Sequence, residues 1–306
     1  MYDVLIAGGG PAGLSAALLL GRSRRKVLVC DGGEPRNAAS HASHSFLTRD
    51  GMPPLELRRI AREQLAPYPS VELCATDVVE TVAADGQFEV MLGDGRHVVA
   101  RKLVLATGVR DELPAIDGLA ELWGTSVFHC PYCDGWEVRD RPLAVYPNSA
   151  DPEILLHMAT LIRHWSRDLV LLTNGPASLN AEEREQLAAM GVVLREERIT
   201  RLESDNGALA RIVFADGTAL RRGALFVRPE QRPRTELAVR LGCDLSDDSP
   251  FFPGLIRVDA AWQTTVPGVY AAGDVATPTQ QVATAVSSGA IAGITANRAL
   301  VDAAVE

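Results

Sequence analysis

The chain has 306 residues, of which 47% are hydrophobic and 23% charged, and this is enough apolar material for two globular domains of ordinary size. Its 30 basic and 39 acidic residues give a net charge of −9, which argues against nucleic acid or an anionic membrane surface as a partner. Five cysteines are too few for a secreted disulfide scaffold, so we predict a protein of a reducing compartment, the cytoplasm.

The apolar stretch at 4–20 has the composition of a signal sequence or a membrane span. Glycines and a proline interrupt it at positions 8–11, no basic segment precedes it, and no small-residue cleavage pattern follows it. It therefore predicts a buried strand, a turn and a helix, and no partner in the membrane.

The first turn of the chain matches a phosphate-binding loop. Gly8-Gly9-Gly10-Pro11-Ala12-Gly13 fits the pattern G-x-G-x-x-G between a short apolar strand and a helix, and a second apolar strand ends at Asp31. In this pattern the glycines let a pyrophosphate approach the backbone, the helix N-terminus attracts the phosphates, and the acid accepts hydrogen bonds from a ribose. We predict a dinucleotide site formed by Gly8, Gly10, Pro11, Ala12, Gly13, Asp31 and Gly32.

A polar, irregular segment follows this acid and spans residues 34–51. Its position predicts that Arg36 and Asn37 border the cofactor. His41 and His44 leave two interpretations open: they are catalytic bases, or they are loop residues that stack on a cofactor.

Two later strands end in motifs that favour FAD over NAD at this site. Residues 103–108 form a buried strand ending in Thr107-Gly108, and residues 268–275 form a strand ending in Gly273-Asp274 before a long Ala-rich helix. Together with the glycine loop, these pieces resemble the flavoprotein family with two dinucleotide-binding domains. The resemblance implies that Asp274 holds the ribityl chain of FAD. It also implies that the helix beginning near Gln281-Val282 points its N-terminus at the flavin, where its dipole would stabilise negative charge.

The segment Cys130-Pro131-Tyr132-Cys133 is a CxxC pair with three interpretations. A zinc site would need a second ligand pair, and the other cysteines are isolated in sequence. A structural disulfide across so short a loop would remove little chain entropy. A redox dithiol fits best beside a flavin site, because one thiolate can attack an external disulfide and the other can resolve it. We therefore predict a catalytic pair and no metal ion. Asp134 is either a turn residue before Gly135 or a general acid/base.

A glycine loop, then C-x-x-C-D-G, then a Gly-Asp motif resemble low-molecular-weight thioredoxin reductase over nearly the whole chain. The resemblance implies that Cys133 faces the flavin, that Cys130 exchanges with the substrate and that Asp134 is the acid. It also implies a homodimer and an α/β fold with two Rossmann-like dinucleotide-binding domains of three layers, in which the FAD domain is split around a smaller second domain. The predicted segments are 1–114 and 248–306 for the FAD domain and 115–247 for the second domain, with the second crossover at 250–254.

The second half of the chain repeats the plan of the first but lacks its phosphate loop. The hairpins at 88–96 and 210–218 each lead into an apolar strand. The turn at 146–152 contains no glycine and includes a proline, which removes an N–H donor. The turn at 173–176 lacks the basic residues of the reductases, and Arg228-Pro229-Glu230 stands in place of a glycine-containing turn. We therefore predict that NAD(P)H does not bind in the usual way.

These features favour an FAD-dependent dithiol/disulfide oxidoreductase. The preferred version is a dithiol oxidase of the gliotoxin and holomycin type, which closes a disulfide in a small molecule and passes the electrons to oxygen. One alternative is a reductase of a thioredoxin-like protein, fed by ferredoxin or by NADPH bound in an atypical way. Asp134 supports this alternative, since the oxidases are associated with histidine after the second cysteine. The other alternative is a flavin-binding redox sensor without turnover.

Overall fold

A computed structural model describes residues 1–246 and 251–304. The chain divides into two compact units. The first comprises Met1–Ala38, Phe46–Arg110 and Gln231–Glu306, and the second comprises Ala39–Ser45 and Asp111–Glu230. Among the described residues, no helix combines the length and the apolar character needed to cross a membrane.

The elements are numbered in chain order. The first half contains β1 (Tyr2–Ala7), α1 (Pro11–Arg22), β2 (Val27–Cys30), a short 3₁₀ turn (Arg36–Ala39), α2 (Pro54–Glu63), β3 (Val71–Cys74), β4 (Val78–Ala84), β5 (Gln87–Leu92), β6 (His97–Leu105), β7 (Val109–Glu112), α3 (Leu119–Leu122), β8 (Val127–Phe128), α4 (Pro131–Asp134) and β9 (Leu143–Tyr146). The second half contains α5 (Pro152–Ile162), β10 (Leu169–Leu172), α6 (Ala181–Ala189), β11 (Val193–Arg195), β12 (Ile199–Asp205), β13 (Ala208–Phe214), β14 (Ala219–Arg221), β15 (Ala224–Val227), β16 (Glu230–Pro233), α7 (Leu237–Arg240), β17 (Leu245–Ser246), β18 (Leu255–Ile256), β19 (Val269–Ala271) and α8 (Val282–Asp302).

The first unit is built on a seven-stranded sheet in the order β3-β2-β1-β6-β5-β4, with β19 paired to the end of β6. Strands β1, β2, β3, β6 and β19 are parallel, and Val4 lies opposite Val27. Strands β4 and β5 form an antiparallel hairpin. Because the carboxyl ends of parallel strands meet at one edge of a sheet, the turns after β1, β2, β6 and β19 lie along that edge, where nucleotides bind in such folds.

Both faces of this sheet are buried, which explains why β1 is a continuous apolar run. Val4 and Ile6 pack on one face with residues of α1 and α8. Leu5 and Ala7 pack on the other face with residues of β5 and α7.

Helices α1 and α8 pack closely because small residues face one another. A Cβ atom added to Gly289 would stand 2.0 Å from the carbonyl oxygen of Ala12. A Cβ atom added to Gly293 would stand 3.2 Å from the carbonyl oxygen of Ala16. The long Ala-rich helix predicted to begin near Gln281-Val282 is confirmed as α8, and its glycines set the distance between the two backbones.

The second unit contains a five-stranded parallel sheet in the order β11-β10-β9-β15-β8 and an antiparallel sheet β12-β13-β14. Its core includes Leu119, Phe214 and Leu225, which are almost fully buried. The order β11-β10-β9-β15 repeats the order β3-β2-β1-β6 of the first unit. The predicted internal repeat and the α/β class with two Rossmann-like sheets are therefore confirmed.

The two units change at 110/111 and 230/231, and the predicted segment boundaries at 114/115 and 247/248 stay a prediction. After position 231, α7 buries Leu237 and Ala238 in the same core as Leu5 and Leu103. The predicted crossover at 250–254 includes Pro250, which lies outside the described residues. Residues 39–45 belong to the second unit, a feature that the sequence did not indicate.

Candidate active site

The loop after β1 turns tightly and brings three backbone segments together. Gly8 has a φ of +107°, and a Cβ atom on it would stand 2.2 Å from the carbonyl oxygen of Ala106. A Cβ atom on Gly13 would stand 1.9 Å from the carbonyl oxygen of Gly8. Pro11 and Ala12 begin α1, where a proline costs no intrahelical hydrogen bond. The predicted roles of Gly8 and Gly13 in the turn and in helix packing therefore follow from the geometry.

Gly10 differs from the other two glycines. It is the N-cap residue of α1, its φ is −78°, and no side chain caps this described helix end. Apart from its chain neighbours, no heavy atom of the described residues lies within 4 Å of a Cβ atom built on it. Neither backbone conformation nor packing requires glycine here. The open space lies in front of the first N–H groups of α1, which attract an anion, and it fits the pyrophosphate of FAD.

Asp31 follows β2, as predicted, and holds two arginines that the sequence analysis missed. Its Oδ1 accepts a hydrogen bond from the Gly33 N–H at 3.1 Å, and its Oδ2 accepts from Arg58 and from Arg62 Nη2, the latter at 2.7 Å. Burial opposes ionisation, but the Gly33 bond and the Arg58 charge lower the pKa of Asp31. A carboxylate accepts about four hydrogen bonds, so one position remains for a ribose hydroxyl.

Arg58 also donates to the carbonyl oxygens of Gly9, at 3.3 Å, and Gly33, at 3.2 Å. It therefore ties α2 to the glycine loop. The four-residue spacing of Arg58 and Arg62 on one helix face was the signal that could have revealed this cluster. The predicted residue Gly32 donates its N–H to Asp77 Oδ1 at 3.1 Å, and a Cβ atom there would stand 2.4 Å from the same carboxylate.

Arg36 and Asp274 lie 238 positions apart in the sequence but form an ion pair in the structure. Arg36 Nη1 lies 2.9 Å from Asp274 Oδ2 and 2.7 Å from Gln280 Oε1. The ion pair is only 14% exposed on the arginine side and 23% on the aspartate side. The sequence predicted both charged residues, but not their contact and not Gln280.

The remaining predicted cofactor residues lie at the same sheet edge. Thr107 and Gly108 follow β6, and Gly273 follows β19 and donates its N–H to Ser288 Oγ at 3.0 Å. Gln281 is the N-cap residue of α8 and Val282 is its first residue. Asn37 lies in the 3₁₀ turn beside Arg36.

The cysteine pair lies in the second unit, directly after β8. Cys130 and Cys133 form a disulfide with a Cα–Cα distance of 5.3 Å, so the two sulfurs are bonded to each other as a redox pair requires. Cys130 is 9% exposed and Cys133 is half-buried. Gly135 is required next to them, because a Cβ atom there would stand 2.6 Å from Trp165 Nε1.

Asp134, the last residue of α4, is half-buried beside the disulfide. Burial and the neighbouring Glu137 carboxylate raise the pKa of Asp134 to about 7, although His44 opposes the rise. A group with a pKa near 7 is present in both protonation states at neutral pH. It is therefore suited to general acid/base work, the stronger of its two predicted interpretations.

The two histidines of the predicted loop differ in their surroundings. His44 is partly buried, and its Nε2 lies 3.6 Å from Glu137 Oε1. His41 is exposed. The structure therefore brings His44, and not His41, to the residues around the disulfide.

In the turn after β9, where a second nucleotide would bind, side chains of the turn and of the next loop are hydrogen-bonded to one another. Tyr146 Oη donates to Asn148 Oδ1 at 2.9 Å and accepts from Asn174 Nδ2 at 3.3 Å. Asp151 caps α5 by accepting the Glu153 N–H at 2.9 Å. A carboxylate already occupies the helix N-terminus that a phosphate would use, and like charges repel.

Comparisons with known proteins agree with this architecture. A family model described as pyridine nucleotide-disulphide oxidoreductase matches residues 2–289. A protein named thioredoxin reductase aclD, from Aspergillus oryzae, is 32% identical over 302 residues, which cover 96% of this chain and 95% of that protein. The crystal structure of an oxidoreductase from Agrobacterium tumefaciens is 39% identical, with a TM-score of 0.91 and 98% of both chains covered. The crystal structure of HlmI is 38% identical, with a TM-score of 0.91, 99% of this chain and 94% of that chain covered.

The match spans both Rossmann-like sheets and the disulfide, so it concerns the whole architecture and not one shared motif. The chain therefore belongs to the pyridine nucleotide-disulphide oxidoreductase family, as a thioredoxin reductase-like flavoprotein oxidoreductase that acts on disulfides.

Proposed function

We propose that this chain is an FAD-dependent dithiol oxidase. A small-molecule dithiol reduces the Cys130–Cys133 disulfide, and oxygen is the final electron acceptor. The overall reaction converts one dithiol and one oxygen molecule into one disulfide and one hydrogen peroxide. The observation that carries the proposal is the glycine-free turn after β9, where Tyr146 is hydrogen-bonded to Asn148 and Asn174 and Asp151 caps α5; these features disfavour NAD(P)H as the electron donor.

The residues for FAD are those of the first unit. The open N-terminus of α1 at Gly10 would take the pyrophosphate, and the remaining acceptor position of Asp31 would take a ribose hydroxyl. Asp274, held by Arg36, would face the ribityl chain, and the N-terminus of α8 at Gln281-Val282 would face the flavin ring. Bound FAD supplies a two-electron acceptor for the cysteine pair.

The chain's own residues handle the sulfur chemistry. A thiolate of the substrate attacks one sulfur of the disulfide and displaces the other, and the second substrate thiol then releases the product disulfide. We assign exchange with the substrate to Cys130 and the flavin-facing position to Cys133, following the resemblance to low-molecular-weight thioredoxin reductases. Asp134 takes up the proton of the attacking substrate thiol and gives it to the displaced cysteine thiolate, a role supported by its position at the end of α4 and its raised pKa.

A second candidate is a disulfide reductase of a thioredoxin-like protein, fed by ferredoxin or by NADPH bound in an atypical way. Asp134 favours it, because the reductases carry an acid after the second cysteine, as does the name thioredoxin reductase among the relatives. For both candidates, the resemblance to low-molecular-weight thioredoxin reductases implies a homodimer in the cytoplasm. Sedimentation of the purified holoenzyme tests whether it is a dimer.

Anaerobic bleaching of the flavin tests the proposal directly. We expect dithiothreitol to bleach the flavin absorbance of the purified holoenzyme and air to restore it with formation of hydrogen peroxide. We expect NADPH and NADH, added separately, to leave it unchanged over the same time. Rapid bleaching by NADPH would contradict the proposal and assign the chain to the ordinary reductases. Bleaching by neither nicotinamide, with no reoxidation by air, would favour a protein electron partner.

Gly10→Val is expected to abolish FAD binding while the protein stays folded. The new side chain enters open space and adopts an ordinary φ, so the unit itself experiences no clash. It would block the approach of a pyrophosphate to the N-terminus of α1. Absorbance at 450 nm after purification reports bound flavin, and circular dichroism of the same samples reports the fold. If the variant still bound one flavin per chain, the pyrophosphate could not bind at the N-terminus of α1 next to Gly10.

A further inference from the structure

Residues 39–45 form a strap that belongs to the second unit although its neighbours in sequence belong to the first. Its first residue packs against Gly124, where a Cβ atom would stand 2.5 Å from the Ala39 carbonyl oxygen. Its last residue, Ser45, donates its hydroxyl to the carbonyl oxygen of Tyr132, at 3.3 Å, inside the CxxC motif. Ser45 has a φ of +61°, a conformation that non-glycine residues adopt only where the surroundings enforce it.

The strap places His44 next to Glu137, which follows the cysteine pair and Asp134 in the chain. Its imidazole Nε2 lies 3.6 Å from Glu137 Oε1, and both groups act on the Asp134 carboxyl. The Glu137 carboxylate raises the pKa of Asp134, and the His44 imidazole lowers it. Glu137 is 41% exposed on its side chain and His44 is 22% exposed, so the cluster runs from the half-buried Asp134 towards solvent.

We infer that His44 is a positioning residue for the dithiol chemistry: together with Glu137, it sets the charge around the Asp134 carboxyl. This inference rests on the proposed function and names a residue that deepens it. Each thiol that enters the exchange gives up one proton as its sulfur becomes a thiolate. Asp134 accepts that proton and returns it to the displaced cysteine sulfur. No proton is gained or lost in this transfer, and the electrons stay with the sulfurs and their acceptor.

The test compares two variants that are expected to shift the pH profile of cysteine alkylation in opposite directions. The holoenzyme is reduced with a phosphine, and the rate at which iodoacetamide alkylates Cys130 and Cys133 is measured by mass spectrometry between pH 5 and 9. Loss of the imidazole in His44→Gln removes a positive charge, so the midpoint of the profile moves to higher pH. Loss of the carboxylate in Glu137→Gln removes a negative charge, so the midpoint moves to lower pH. His41→Gln is the control: it changes an exposed residue of the same strap, and its alkylation profile should match that of the unaltered protein.

A second measurement connects the cluster to turnover. In His44→Gln we expect anaerobic bleaching by dithiothreitol to slow by on the order of 10-fold, less than the roughly 100-fold or more that loss of the general acid/base itself would cost. Bound flavin and circular dichroism confirm that the variant is folded. Alkylation profiles that coincide in all three variants overturn the inference about His44. Failure of dithiothreitol to bleach the unaltered protein overturns the proposed oxidase instead, and the alkylation profiles still decide the role of His44.

Discussion

Cys133→Ser is expected to slow the bleaching of bound flavin by dithiothreitol by on the order of 1,000-fold or more, since loss of an enzyme's nucleophile costs at least that much. Serine cannot form the disulfide with Cys130 that accepts the electrons of the dithiol. The same variant should lose dithiol-driven oxygen consumption, which an oxygen electrode measures. Cys74→Ser is the control, because Cys74 is a half-buried free thiol of the first unit. Equal rates in Cys133→Ser and the unaltered protein would exclude the cysteine pair from catalysis.

The two cysteines are distinguished by trapping a mixed disulfide. In a Cys74→Ser background, 5,5′-dithiobis(2-nitrobenzoic acid) should leave a stable adduct on Cys130 of the Cys133→Ser variant, because no second thiol resolves it. Burial raises the pKa of Cys30 to about 12 and also raises the pKa of Cys243, so these thiols stay protonated and slow to react. A rapid adduct only in Cys130→Ser would assign exchange to Cys133, which is the more exposed sulfur.

Gly289→Ala is expected to lower the free energy of unfolding by about 2 kcal/mol. Alanine improves helix propensity by about 1 kcal/mol, but overpacking costs up to about 3 kcal/mol. Overpacking wins here because the new Cβ atom would stand 2.0 Å from the backbone carbonyl oxygen of Ala12, which belongs to the paired helix and cannot rotate away. The expected decrease in melting temperature of the holoenzyme is roughly 4 °C.

Gly293→Ala is the matched control for this prediction. It lies one turn further along α8, and its nearest contact would be 3.2 Å, which a shift of a few tenths of an ångström relieves. We expect its free energy of unfolding to stay within about 1 kcal/mol of the unaltered protein. A Gly289→Ala protein as stable as Gly293→Ala would mean that α1 and α8 can move apart without cost.

The elements that the sequence predicted correctly are those whose signals are local. The strand, glycine turn and helix at the start of the chain require only the spacing of Gly8 and Gly13 and the apolar run before them. The glycine-free turn after β9 was visible because the absence of a residue type within a few positions needs no knowledge of the rest of the fold.

The contacts that the sequence did not predict join residues that lie far apart in the chain. Arg36 reaches Asp274, and Arg58 and Arg62 reach Asp31, only after the parallel sheet has brought the ends of β2 and β19 to one edge. The boundary near 230 depended on where α7 buries Leu237, because an amphipathic turn can pack on either sheet.

By itself, the sequence determined that this protein has two Rossmann-like sheets, that only the first is followed by a glycine-rich phosphate loop, and that a CxxC pair with an adjacent acid lies between the two strand–turn–helix segments. Each of these features is a motif of a few neighbouring residues, so it can be recognised without knowing how the chain folds. Only the tertiary structure decided that the strap at 39–45 joins the second unit and that His44 meets Glu137 beside Asp134. The reason is physical. The pKa of Asp134 depends on its burial and on its distances to neighbouring charges, and both are fixed only once the chain has packed.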